Sequence, residues 1–291
     1  MLHSTVPKKL WFIWCTLLQL VLAVVSLALL PALATAQVDE PALQITNGQI
    51  EQHLSRTALL KHPALRTIHV PSDVAYGGRA MSYQAVPLTG LTGPITGDNL
   101  QCIASDGFVS NIPAQLLEGG AGKSEAWIAI EPADAPWPAL KPGAASAGPF
   151  YLVWLAPAKS GIADEQWPYK LVHIATALTL EVRYPQILPR TVQVADSPER
   201  RGLQVFLRHC AVCHPINGGG DTRLGPDLNR PFSPVEYFQE PFLRRLVRDS
   251  SSVRNWPQRN MPPFPVTELH DAALDDLLAY LRVTARERAR D

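Results

Sequence analysis

Methionine and cysteine are scarce in this chain of 291 residues, at three and four copies, and 26 basic side chains cancel 26 acidic ones. With the net charge at zero, nothing suggests the positive footprint of a phosphate-neutralising protein, and no nucleic-acid partner is expected. Lysine is absent after Lys170, which leaves the C-terminal region to take its positive charge from arginine. Proline is the opposite case: 27 copies, recurring in short extended runs, favour loops and strands over long helices. A hydrophobic share of 46% and a charged share of 18% suit a soluble globular protein, and the length suffices for two domains with separate cores.

One long apolar run exists, Leu10 to Leu30, preceded by Lys8 and Lys9 and followed by Pro31 and Ala34-Thr35-Ala36-Gln37. This reads as an export signal over residues 1–36, with cleavage expected after Ala36 at a small-x-small site. The run is also long enough to span a bilayer, so an uncleaved anchor is the competing reading. Both readings put the rest of the chain outside the cytoplasm, in the periplasm or anchored to the outward face of the inner membrane.

The few cysteines are unevenly placed. Cys15 lies in the signal, Cys102 stands alone in the apolar stretch Leu100-Gln101-Cys102-Ile103, and Cys210-Ala211-Val212-Cys213-His214 brings two thiols and an imidazole together. That last spacing is what covalent haem attachment requires, because thiols at i and i+3 reach both vinyl groups of one porphyrin edge and the next residue can ligate iron. A structural zinc site needs four ligands, and no second cysteine pair or His-x-His pair lies within reach in the C-terminal region. A thioredoxin-like dithiol would sit in a βαβ setting, whereas Ser197 as N-cap and Pro198 at the first helical position open a helix into the motif.

A sixth iron ligand must come from another part of the chain. Met261, in Asn260-Met261-Pro262-Pro263-Phe264-Pro265, is the candidate, with His270 the rival. A last helix is expected from Thr267 to Arg282, capped by Thr267, with Leu274, Leu277, Leu278 and Leu281 as its apolar stripe.

With these parts in order, residues 197–291 resemble a class I cytochrome c domain: Gly202 and Phe206, the attachment motif, Leu224-Gly225-Pro226-Asp227-Leu228, the Met261 loop and the terminal leucine helix all have counterparts. The resemblance implies an all-α fold with crossed first and last helices, one covalent haem c, and a Pro226 carbonyl accepting the proton of His214. Tyr237 and Trp256 are candidates to hydrogen-bond the haem propionates, with packing as the alternative role. Ligation by His214 and Met261 saturates the iron and points to outer-sphere electron transfer.

Residues 37–188 read as a mostly β (α+β) domain, joined to the haem domain by a linker at 189–196. Strand-like runs occur at Thr67–Val70, Leu100–Ala104, Trp127–Ile130 and Phe150–Leu155, and one short helix is expected near Ile50 to Leu60. The segments Tyr83–Leu88, Ser105–Phe108, Gly148–Val153 and Gln166–Tyr169 resemble the molybdopterin-binding domain of the sulfite oxidase family. That family binds molybdenum through a cysteine upstream of the Tyr83 equivalent; here none lies between Gln37 and Tyr83, so molybdopterin is not expected. Asp106, in its Ser-Asp-Gly-Phe context, reads as a turn residue.

The chain is therefore expected to be an exported electron carrier, working with a donor dehydrogenase or a membrane electron-transport complex, rather than a self-contained enzyme. The alternatives are a molybdenum oxidoreductase with its own haem acceptor, and a haem sensor or peroxidase with an open iron site.

Overall fold

Nine strands and seven α-helices are present in the described parts of the computed structural model, which are residues 40–191, 194–255 and 261–288. The expected export segment 1–36 and Trp256 lie outside them. Among the described residues no helix is long and apolar enough to cross a membrane.

β1 (Ala42–Asn47) and β2 (Ile50–Ser55) form an antiparallel hairpin with Leu43 opposite Leu54. The helix expected near Ile50 to Leu60 is thus half strand: Asn47-Gly48 turns the chain back, Gly48 taking φ +60°, and only α1 (Arg56–Leu60) is helical. The Ser55 hydroxyl caps α1 by accepting from Ala58 N at 3.1 Å.

The chain continues through β3 (Arg66–Asp73), β4 (Arg79–Pro87), α2 (Leu88–Thr92), β5 (Asn99–Ala104), β6 (Val109–Pro113), β7 (Glu125–Ile130), β8 (Phe150–Leu155) and β9 (Leu171–Ala177). Two sheets result, ordered β2-β1-β9-β5-β6 and β3-β4-β7-β8. All ladders are antiparallel except β1 with β9. Both sheets feed one apolar core, in which Leu43, Ile45, Leu100, Cys102 and Ile174 meet Tyr83, Ile128, Leu152 and Trp154. The strand-like runs expected from the sequence fall in β3, β5, β7 and β8.

Beyond β9 the chain is helical. α3 (Leu180–Arg183) leads through a 3-10 turn at Pro185–Ile187 to α4 (Pro198–Val205). Ser197 caps α4, its hydroxyl accepting from Arg200 N at 3.3 Å, while Pro198 fills the first position, where an N–H would have no helical partner. α4 then widens into a π turn over Phe206–Cys210, with Ala211 N donating to Phe206 O at 2.8 Å. α5 (Pro234–Tyr237) and α6 (Glu240–Arg248) precede α7 (Asp271–Glu287). α7 is capped three residues later than expected. Leu269 and Glu268 donate to the Pro265 carbonyl in a turn, and His270, not Thr267, is the N-cap.

α4 crosses α7 at Gly202. A Cβ there would lie 1.9 Å from Asp276 O and 2.7 Å from Tyr280 Cβ, so only glycine permits this approach. Around the crossing, Leu203, Phe206, Leu274, Leu277, Leu278 and Leu281 are buried, each stabilising the fold by roughly 1.5–3 kcal/mol. The Phe206 and Tyr280 rings stand 5.6 Å apart. Arg201 closes the crossing with a fork on Asp276, Nε to Oδ2 at 2.8 Å and Nη2 to Oδ1 at 2.9 Å. A planar guanidinium can make that pair of bonds and an ammonium cannot, which gives the arginine preference of this region a structural use.

Glu40–Asp291 form one compact unit. Asp221, after the glycine run, accepts from Arg183 Nη2 at 2.8 Å, Asn111 Nδ2 at 2.9 Å and Tyr184 OH at 3.0 Å, so the loop is bound to β6 and α3. Leu180 and Ile187, which the sequence places in the β-rich part, are members of the helical core.

Candidate functional site

The π turn delivers the Cys210–His214 segment into a tight reversal, in which Cys213 N and His214 N both donate to Cys210 O, at 3.0 and 2.8 Å. Both thiols therefore leave one turn of backbone, with the His214 ring directly after them. Burial pushes both cysteines up, Cys213 to about 11, with the Glu165 charge adding to the shift. A redox dithiol requires the opposite, a thiol made acidic by its surroundings.

His214 is held on two sides. Its Nδ1 lies 2.8 Å from Pro226 O. A carbonyl can only accept, so Nδ1 carries the proton and Nε2 keeps the lone pair for a metal. Burial lowers the ring's pKa, which favours the neutral form that ligates. Gly225 backs the imidazole: a Cβ there would sit 2.3 Å from His214 Cε1 and 2.5 Å from Nδ1. Gly225 N also donates to Cys213 O at 2.8 Å, tying the two segments together.

The loop between them is cross-braced. Asp227 accepts from Gly218 N and Asn229 N, each at 2.7 Å, and the fully buried Asn229 donates to Asn217 Oδ1 at 2.7 Å and Thr284 O at 2.8 Å. Asn217 and Gly218 take positive φ, +54° and +77°. The Arg223 guanidinium donates to the carbonyls of Gly218, Gly220 and Thr222. Pro226 is thereby placed by bonds that anchor the loop to α7.

The other candidates are more dispersed. Met261 is half-buried against the helical core, and its carbonyl accepts from Ser250 Oγ at 3.1 Å. Tyr237 ends α5 with 62% of its surface exposed and packs on Phe238. His270 is exposed at the start of α7. Trp256 lies outside the described residues. In the β-rich region Cys102 is fully buried on β5, and burial pushes its thiol up to about 12. The Asp106 carboxylate accepts from Phe108 N at 3.1 Å, the geometry of a turn.

Gly225 was visible in the sequence only as part of a loop, without its role as backing for the ring. A second cluster had no local signal at all. His209, buried, points its Nδ1 at Glu165 Oε1, 3.0 Å away and 44 residues earlier in the chain. Glu268 lies close by, its carboxyl pushed up to about 7 by burial and then by the Glu165 and Asp164 charges.

Residues 199–285 match the family model described as Cytochrome c. This part of the chain is a cytochrome c domain, which implies covalently bound haem c and supports a haem-based electron-transfer role. No curated protein matches the chain.

Proposed function

We propose that this chain is an exported c-type cytochrome that passes single electrons through one haem, with the β-rich region serving as docking module for its redox partner. The observation that carries the reading is the bond from His214 Nδ1 to Pro226 O within the cytochrome c segment, because it leaves a neutral imidazole with Nε2 free to ligate.

The residues present fit a haem. Cys210 and Cys213 would tether it, and His214 and Met261 would hold its iron. Tyr237 and Trp256 are proposed for its propionates. When bound, the group supplies one-electron chemistry at a saturated iron, and a thioether ligand favours the ferrous state. The chain's own part is positional. Pro226 keeps the proton on Nδ1, Gly225 fixes the ring plane, and Ser250 with the flanking prolines holds the backbone of Met261.

For the β-rich region we propose a sulfite-oxidase-like type that works without molybdenum, since its one cysteine is sealed in the core. The partner is a donor dehydrogenase or a membrane electron-transport complex, reached in the periplasm or from an anchor in the inner membrane.

Metal analysis of protein produced with haem-attachment machinery tests this. One iron per chain without molybdenum is expected; stoichiometric molybdenum would turn the chain into an oxidoreductase with its own haem acceptor. In Cys210→Ala/Cys213→Ala, acidified organic solvent should extract whatever haem is present, and retained haem would overturn the attachment. Carbon monoxide should not bind the reduced native protein, as it would at the open iron of a sensor.

A further inference from the structure

We propose that Glu165, His209 and Glu268 form a divalent-cation site where the β-rich region meets the cytochrome c domain. One ligating atom from each residue lies within 4.8 Å of the other two. Glu165 follows β8, in the 3-10 turn Asp164–Gln166, while His209 precedes the haem tether and Glu268 precedes α7. A bound cation would therefore clip the two regions together.

Two observations favour a cation over a plain ion pair. Glu165 is only 9% exposed, and its Oε2 has no hydrogen-bond partner among the described residues, although Oε1 lies against His209. Leaving such an oxygen unmatched costs about 1–3 kcal/mol, more when it is charged. The surroundings are also anionic. Asp164 and Glu268 both feel the Glu165 charge, and Arg208, whose charge also reaches Glu268, directs Nη2 to the Gly161 carbonyl at 2.5 Å. The His209 contact occupies Oε1 alone, whereas a divalent ion would engage Oε2 and relieve the repulsion between Glu165 and Glu268.

The donor set selects the ion. One imidazole and two carboxylates suit a first-row divalent cation such as zinc, with water in the fourth position. The His209 ring is already braced, standing edge-on to Phe264 at 5.9 Å.

The test uses haem-loaded, chelator-treated protein titrated with Zn2+ by calorimetry, with iron and zinc counted separately. One zinc per chain at micromolar affinity or tighter is expected, together with a higher Tm and unchanged iron. Glu268→Gln and His209→Gln should each weaken binding by at least about tenfold. His53→Gln, in a different surface cluster, should leave it unchanged. Glu268 is only partly buried, so its variant tests the site even if changes at Glu165 or His209 impair folding. No zinc uptake up to roughly 100 μM, or uptake that survives Glu268→Gln, would overturn the proposal. Because zinc and iron are counted independently, failure of the haem reading and failure of this one are distinguishable.

Discussion

Arg183 and Asp221 face each other through two parallel hydrogen bonds, one of them 2.8 Å long, between the end of α3 and the loop that follows the glycine run. Asp221 is the more enclosed partner, its side chain 8% exposed. Burial alone would raise its carboxyl, but hydrogen bonds from Arg183 and Asn111 outweigh that and hold it below the usual carboxylate range.

Asp221→Asn should therefore destabilise the protein by about 2–3 kcal/mol, since Arg183 would be left partly buried without its counter-charge. The sign with pH follows from the lowered carboxyl. Its contribution is present above the unfolded-chain value near 3.8 and fades as pH falls through the lower folded value. Urea unfolding of both proteins from pH 7 down to pH 2 checks this. The gap between them should narrow only in the acid arm, and a constant gap would remove the electrostatic explanation.

Gly202→Ala separates intrinsic propensity from packing. Alanine favours an isolated helix by about 1 kcal/mol over glycine, but here its Cβ would meet the Asp276 carbonyl at 1.9 Å. Net destabilisation of about 3 kcal/mol or more is expected. A rise in Tm would mean that α4 and α7 do not approach so closely.

For Gly225→Ala the readout is spectroscopic. The new methyl would press on the His214 ring at 2.3 Å and displace it from Pro226. Haem-loaded protein should be recovered in lower yield with altered Soret and visible bands. An unchanged spectrum would show that Gly225 does not position the ring.

Met261→His tests the proposed sixth ligand. Exchange of a thioether for an imidazole should lower the reduction potential by on the order of 0.1–0.3 V, within the ~0.8 V that axial ligands span. The weak sulfur-to-iron charge-transfer band should also vanish. If potential and band both persist, another residue ligates.

The parts legible in the sequence were those set by neighbours along the chain. Ser197 and Pro198 announce α4, and Leu274, Leu277, Leu278 and Leu281 announce the buried face of α7, because caps and stripes are local patterns. The boundaries were less visible: Asn47-Gly48 turned an expected helix into a hairpin, and Pro265 delayed α7 to Asp271. Long-range geometry left almost no trace. Nothing near Ile45 signals its parallel pairing with Ile174, and nothing near Glu165 signals His209. The spacing of Cys210, Cys213 and His214 is visible because it lies within five consecutive residues, whereas the backing of His214 by Gly225 depends on how a loop returns.

Tyr280 on α7 donates its hydroxyl to the Ile187 carbonyl at 2.7 Å, and both side chains belong to the helical core. Residue 199, where the family match begins, is therefore not where a self-sufficient piece begins. A fragment cut there would lose Leu180 and Ile187 from its interior and leave a buried phenol without its acceptor. A portable electron-transfer module must start ahead of Leu180 and carry α3 with it. In design terms the last turn of the β-rich region is the first turn of its neighbour, and swapping one region for another means preserving that shared stretch.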